Sequence, residues 1–222
     1  MQQHSFPDDT CDRLIVHPDR QADKIKHQML AERDDVSQAV GHLERIAFIL
    51  CERVRDYVAE TYPARAVVPV FVMRGGLIMR TAATRVFSGC LTGLVVPFRR
   101  TSMERPTIVY GDVPVPACGA LYLALDLLVA TGSTMVSALE SIYLNLGSNA
   151  AGDVQVQVVS PFAATIGIQA IIGRFPGVIV HAIWHQEKVD ANNRMVGPGF
   201  DIGDYALGGP GTRRVRWADK GP

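Results

Sequence analysis

Net charge is what this sequence most plainly lacks. Its 222 residues carry 22 basic and 22 acidic side chains. No long-range field therefore draws the chain to nucleic acid or to an anionic membrane, and neither is expected as a partner. Long apolar runs are missing as well: no stretch of about 18 apolar residues occurs, so no membrane span is expected. The opening residues MQQHSFPDDTCDR lack the apolar core of a secretory leader. Cysteine is scarce, with Cys11, Cys51, Cys90 and Cys118 far apart and no CxxC pair. Cys51 and Cys90 sit in apolar stretches and read as buried free thiols in a reducing cytoplasm. Histidines number six and form no metal-ligand cluster, so no protein-held metal is expected.

What remains is a chain that is 48% hydrophobic and 20% charged, enough for one domain with a substantial core. Residues 1–18 read as a loose N-terminal arm, 19–208 as a single domain and 209–222 as a tail. Helical patterns run over Gln21–Arg33 and Val36–Tyr62, the second with Val36, Val40, Leu43, Ala47, Leu50 and Val54 on one face and Pro63 at its end. From Val67 onward, short apolar runs alternate with helical segments. Strands are expected at Val67–Met73, Leu91–Phe98, Leu121–Leu125, Val154–Ser160 and Val178–Ile183. Helices are expected at Gly76–Phe87, Ser133–Leu146 and Ile166–Ile172. This alternation predicts an α/β fold, a mostly parallel sheet with helices on both faces and ligands beyond the strand C-terminal ends. Arg99–Val115 is too polar and too long for an ordinary connection and reads as a functional loop.

The segment LYLALDLLVATGSTMVSA, Leu121 to Ala138, concentrates the chemistry. A buried strand delivers one acid, Asp126, to its end. The small residues Ala130, Thr131, Gly132, Ser133 and Thr134 then open a helix whose first N–H groups lack intrahelical acceptors and can hold a phosphate. No lysine stands where a GxxxxGK[ST] loop needs one. A carboxylate suits sugar hydroxyls and the turn suits a phosphate monoester; a ribose 5-phosphate carries both. A second glycine turn, Arg74-Gly75-Gly76, follows a strand directly. It offers backbone N–H groups and a guanidinium matched to phosphate oxygens, or serves as a tight strand-to-helix turn. His181 falls in an apolar strand and reads as a structural histidine. Trp184 either lines a pocket or fills core.

These strings resemble the phosphoribosyl-diphosphate (PRPP) signature of type I phosphoribosyltransferases, and most closely the uracil phosphoribosyltransferase form, DPMLATGGS. Asp126-Leu127-Leu128-Val129-Ala130-Thr131-Gly132-Ser133-Thr134 aligns with it without gaps. Met73-Arg74-Gly75-Gly76-Leu77 resembles the family's LRAGL, and Phe98-Arg99, Pro106 and Tyr110 match its YR…P…Y loop. Glu187, Val196, Asp201, Gly203, Asp204 and Gly208 fit its C-terminal motif. The resemblance implies a type I phosphoribosyltransferase fold with a flexible hood loop over the strand ends, and homodimers or larger homo-oligomers. It implies transfer of the phosphoribosyl group from PRPP, with Mg²⁺, to uracil or a related small planar acceptor, releasing diphosphate.

Carried over residue by residue, the resemblance makes Asp126 the ribose anchor and Ala130 to Thr134 the 5-phosphate cradle. Arg74, Gly75 and Gly76 become the diphosphate loop, and Arg99 a diphosphate contact from the hood. Asp201 falls near the diphosphate or its magnesium, and Met195, Val196, Phe200, Asp201 and Ile202 fall at the acceptor. This last patch departs from the family: Met195, Phe200 and Ile202 replace its isoleucine, glycine and alanine, and Arg194 its tyrosine. The departures keep two alternatives open, a relative that ribosylates a non-uracil acceptor in secondary metabolism and a non-catalytic PRPP or nucleotide sensor.

Overall fold

The computed structural model describes residues 12–32, 36–99, 104–115, 119–147, 154–186 and 189. Helix α1 (Arg20–Ala31) starts where Asp19 accepts from the Gln21 and Ala22 N–H groups at 2.8 and 3.1 Å, satisfying donors that the first turn leaves over. The second Asp19 oxygen takes Arg53 of helix α2 (Val36–Thr61) at 2.8 Å, fastening the two helices. Their apolar stripes, with Ile25 and Met29 on α1 and Leu43, Ile46, Leu50 and Val54 on α2, are buried. No described helix is long and apolar enough to cross a membrane.

The remaining elements alternate as the periodicity predicts. Strand β1 (Leu14–Val16) precedes the helices, and β2 (Ala66–Val72), α3 (Gly75–Val86), β3 (Gly93–Phe98), β4 (Thr107–Asp112) and β5 (Ala120–Leu125) follow. Next come β6 (Leu128–Val129), α4 (Ser133–Leu146), β7 (Gln155–Val159), β8 (Phe162–Ala164), α5 (Thr165–Arg174), β9 (Ile179–Ala182) and β10 (Trp184–Gln186). Seven strands form one sheet in the order β1-β9-β7-β5-β2-β3-β4, parallel except for β4. Alternate residues of β5 serve the two faces. Leu121, Leu123 and Leu125 pack with α1, α2 and α3, while Tyr122 and Ala124 pack with α4 and α5. The expected fold class, a mostly parallel sheet flanked by helices, is the one observed.

Three central strands do not end where the sheet ends. After a break at Asp126, at Ser160-Pro161 and at Ile183, each resumes as a short strand of a second parallel sheet, ordered β10-β8-β6. The breaks remain bonded: Asp126 N–H donates to Val159 O at 3.2 Å and Ser160 N–H to His181 O at 2.9 Å. These strands of two or three residues are too short to leave a period in the sequence.

Two other expectations change. The arm 1–18 contains β1, which pairs in parallel with β9 and closes one sheet edge. The long connection Arg99–Val115 contains β4, an antiparallel edge strand on β3 with an irregularity at Val96/Pro97. Edge exposure explains the miss, because Val109 and Tyr110 are 60% and 53% exposed and no alternating apolar face is required. Residues 100–103 of that connection lie outside the described residues.

His181 sits in β9 with both ring nitrogens engaged. Gln157 Oε1 can only accept, so His181 Nε2–H donates to it at 2.9 Å, and His181 Nδ1 accepts from His17 Nε2–H at 3.0 Å. Tyr57 of α2 packs edge-on at 5.0 Å. Burial, and after it the His17 imidazole, push His181 from 6.5 down to about 3. The unfolded chain takes up this proton below pH 6.5 and the native state refuses it, so His181 lowers stability as pH falls from 6.5 towards 3. This group's share, about 1.4 kcal/mol per pH unit, should appear as the difference in slope between the native protein and His181→Gln when urea midpoints are measured across that window.

Candidate functional site

The strand order reverses between β2 and β5: from β2 the chain steps outward to β3 and β4, then returns to β5 on the other side of β2. In open α/β sheets such a switch point leaves a crevice beyond the strand C-terminal ends. Arg74 follows β2 and Asp126 follows β5, so the Arg74-Gly75-Gly76 turn and the single acid of the sequence motif meet here. Their contact is close: a methyl built on Gly75 would overlap Asp126 Oδ1. One on Gly76 would lie 2.6 Å from Leu125 O and 3.1 Å from Phe71 C. The Arg74 turn therefore packs on the β5 end in a way that only glycine permits.

Asp126 is buried, 9% exposed. Burial pushes its carboxyl from 3.8 up to about 7, against the N–H groups of Leu127 and Leu128 that donate to it and the nearby charges of Arg74 and Arg99. Burial costs the ionised form more than these neighbours return. A carboxylate poised near neutrality in a crevice, faced by two guanidinium groups, has the character of a binding site for a hydroxylated anion.

Ala130, Thr131 and Gly132 lead from β6 into α4. Gly132 takes φ 77° at the helix N-cap and gives no side-chain cap. The first intrahelical bond is Val136 N–H to Gly132 O at 2.8 Å. The N–H groups of Ser133, Thr134 and Met135 thus fall in the turn that has no intrahelical acceptor. The hydroxyls of Thr131 and Ser133 lie 3.2 Å apart on the same turn. Arg99 ends β3, and beyond the undescribed 100–103 the chain is tied down again where Arg105 pairs with Glu140 of α4.

The structure therefore brings Arg74, Gly75, Gly76, Arg99, Asp126 and the Ala130–Thr134 turn to one end of the sheet. Met195, Val196, Phe200, Asp201 and Ile202 lie outside the described residues. Trp184 is not open for stacking: Phe162 lies 4.7 Å from it on one side, Lys26 Nζ lies 4.5 Å from its ring, and its indole N–H donates to Asp23 at 2.8 Å. Two features escape sequence reasoning. The Leu127 and Leu128 N–H groups hold the Asp126 carboxyl, and Gly167 of α5 touches the Gly132 turn. Neither leaves a residue-type signal, since one is backbone and the other a glycine inside a helical pattern.

Ionisation of Asp126 sets a pH dependence. Below about 7 the carboxyl is protonated and loses one acceptor position for sugar hydroxyls. Affinity for a phosphorylated pentose should therefore fall as pH drops from 8 to 6. Titrations of ribose 5-phosphate should show this fall in the native protein and a flatter profile in Asp126→Asn, in which only the ligand's own phosphate titrates.

The model of the family described as uracil phosphoribosyltransferase matches residues 38–208, a span that includes every residue of this site. "Uracil phosphoribosyltransferase" of Mycoplasma genitalium is 28% identical over 143 residues, which are 64% of this chain and 66% of that protein. "Uracil phosphoribosyltransferase 1" of Schizosaccharomyces pombe is 26% identical over 140 residues, 63% of this chain and 62% of that protein. The chain thus spans less than two thirds of the length of either relative. Among solved structures, the AQ2163 protein from Aquifex aeolicus has the same fold, with a TM-score of 0.73 at 18% identity over 87% of this chain and 97% of that one.

Proposed function

The chain belongs to the uracil phosphoribosyltransferase family, and from that premise we propose that it transfers the 5-phosphoribosyl group of PRPP to uracil or a closely related planar acceptor. One observation carries the reading: a buried carboxylate at the sheet's switch point lies within the field of two arginines and beside an uncapped helix start. A phosphorylated, pyrophosphorylated pentose presents the matching groups in that order.

In this reading the 5-phosphate rests on the N–H groups of α4 and the hydroxyls of Thr131, Ser133 and Thr134. Asp126 accepts from the 2- and 3-hydroxyls. Arg74, with the Gly75 and Gly76 backbone, holds the diphosphate, and Arg99 reaches it from the far side. As the bond from C1 to the diphosphate oxygen breaks, that oxygen keeps the electron pair. The acceptor nitrogen bonds to C1, and its proton passes to the departing diphosphate or to water. Positive charge gathers on the ribose ring meanwhile, and a fixed Asp126 carboxylate opposes it. No covalent nucleophile is needed; positioning and electrostatics lower the barrier.

Mg²⁺ enters as part of the substrate. Asp126 is the one carboxylate at the described part of the site, and magnesium suits a setting of one carboxylate completed by diphosphate oxygens and water. The family resemblance assigns Asp201 to the diphosphate or its magnesium, and Met195, Val196, Phe200, Asp201 and Ile202 to the acceptor.

Diphosphate release in the presence of PRPP, Mg²⁺ and a panel of bases and aromatic acids tests the proposal. Release that depends on uracil supports it. Release only with another acceptor moves the acceptor and keeps the donor chemistry. The proposal fails if no acceptor releases diphosphate and PRPP does not bind.

A further inference from the structure

We infer that Gly167, in the first turn of α5, is a positioning residue that holds the 5-phosphate cradle in shape without touching the phosphate. The inference rests on the donor-binding reading of the Ala130–Thr134 turn. A Cβ on Gly167 would lie 2.5 Å from Ala130 O, 2.8 Å from Val129 Cγ1 and 3.1 Å from Ala130 C. A Cβ on Gly132 would lie 2.5 Å from Gly167 O and 3.1 Å from Gly167 Cα. Backbone thus presses on backbone: Gly167 fills the space that a methyl on Gly132 would need, and the Ala130 carbonyl fills the space that a methyl on Gly167 would need. Gly132 also takes φ 77°, a conformation that glycine adopts without strain.

Which side yields to an added methyl decides the consequence. Helix α5 is fixed at its start. β8 runs straight into it, and Thr165 Oγ1 donates to Gln186 O at 3.3 Å while accepting from His185 Nε2–H at 2.9 Å. Its Ile168 and Ile171 are fully buried in the core. The Ala130–Gly132 turn hangs between a two-residue strand and the first turn of α4. The Thr131 hydroxyl of this turn bonds to the neighbouring Ser133 hydroxyl. The turn therefore moves and α5 does not. The N–H groups of Ser133 and Thr134 then lose their common aim, while the Arg74 turn, on the other side of Asp126, keeps its place.

The test compares two ligands on the full chain. Gly167→Ala should weaken binding of ribose 5-phosphate about tenfold or more and leave binding of inorganic diphosphate unchanged. General destabilisation would not produce that split. Gly173→Ala, on the same helix with nothing within 4 Å of the added methyl, should leave both affinities unchanged. If the native protein binds neither ligand, the donor reading itself falls and takes the inference with it. If the native protein binds both, then unchanged affinities in Gly167→Ala, or equal loss of both, overturn the inference alone. Should Gly167→Ala not fold, amide hydrogen exchange on the native protein decides. Ribose 5-phosphate should slow exchange over Thr165–Ala170 and diphosphate should not; no difference between them overturns the inference.

Discussion

Asp126→Asn should cut phosphoribosyl transfer by about 10²–10⁴-fold and at the same time make the protein more stable at pH 8. On the proposed donor geometry, the loss follows from replacing a carboxylate placed to accept two ribose hydroxyls, each bond worth roughly 1.5–3 kcal/mol when charge-assisted, by an amide with one acceptor oxygen. The gain follows from the cost of the native ion. The carboxyl titrates at about 7 in the fold against 3.8 in the unfolded chain. That gap corresponds to about 4 kcal/mol of native-state cost once the group is ionised above pH 7. Asparagine removes the charge at nearly constant shape but turns an N–H₂ toward the Leu127 or Leu128 N–H, so a net gain of roughly 1–3 kcal/mol is expected. Steady-state kinetics and urea midpoints at pH 8 check the two halves separately. A variant that loses stability, or keeps full activity, contradicts the assignment.

The sign also shows in the pH profile of stability. Between pH 4 and 7 the native Asp126 keeps a proton that the unfolded chain has lost, so its contribution declines as pH rises. His181 contributes the opposite slope over pH 3 to 6.5. The two nearly cancel from pH 4 to 6.5 in the native protein. Asp126→Asn should therefore become less stable as pH falls through that window, and His181→Gln more stable.

Gly75→Ala should abolish most activity without unfolding the protein. The added methyl meets Asp126 Oδ1 first and the Leu127 backbone N only at 3.0 Å, and the carboxyl can turn aside at a cost of roughly 1–3 kcal/mol in lost N–H contacts. A carboxyl turned aside no longer points where the proposed donor places its ribose, so kcat/KM should fall about 10²-fold or more. Gly76→Ala provides the contrast, because its methyl meets backbone of both β5 and β2, at Leu125 O and Phe71 C. Neither strand can give way locally, and the melting temperature should drop clearly more in this variant than in Gly75→Ala. Equal melting temperatures with equal activity loss would contradict the distinction.

Much of this arrangement is legible in the chain. Ser133–Leu146 reads as a helix and is one, with the same bounds. The runs at Val67, Leu121, Val154 and Val178 read as buried strands because both faces of a parallel sheet are covered. Glycine, arginine and one acid at strand ends announce phosphate and hydroxyl chemistry. Strand β4 is not legible, because at an edge the run Thr107–Asp112 leaves Val109 and Tyr110 exposed and shows no alternating apolar face. Strands β6, β8 and β10 are too short for any period.

Periodicity and residue type thus determined the layered α/β order and the list of groups able to hold a phosphorylated sugar, since both are local properties of a few consecutive side chains. Only the tertiary structure decided that Arg74 and Asp126 share one crevice, that Asp126 is buried enough to titrate near neutrality, and that Gly167 backs the turn at Gly132. Desolvation and backbone contact between segments 35 (Gly132 to Gly167) to 52 (Arg74 to Asp126) residues apart depend on how strands are ordered across the sheet, and no local pattern records that order.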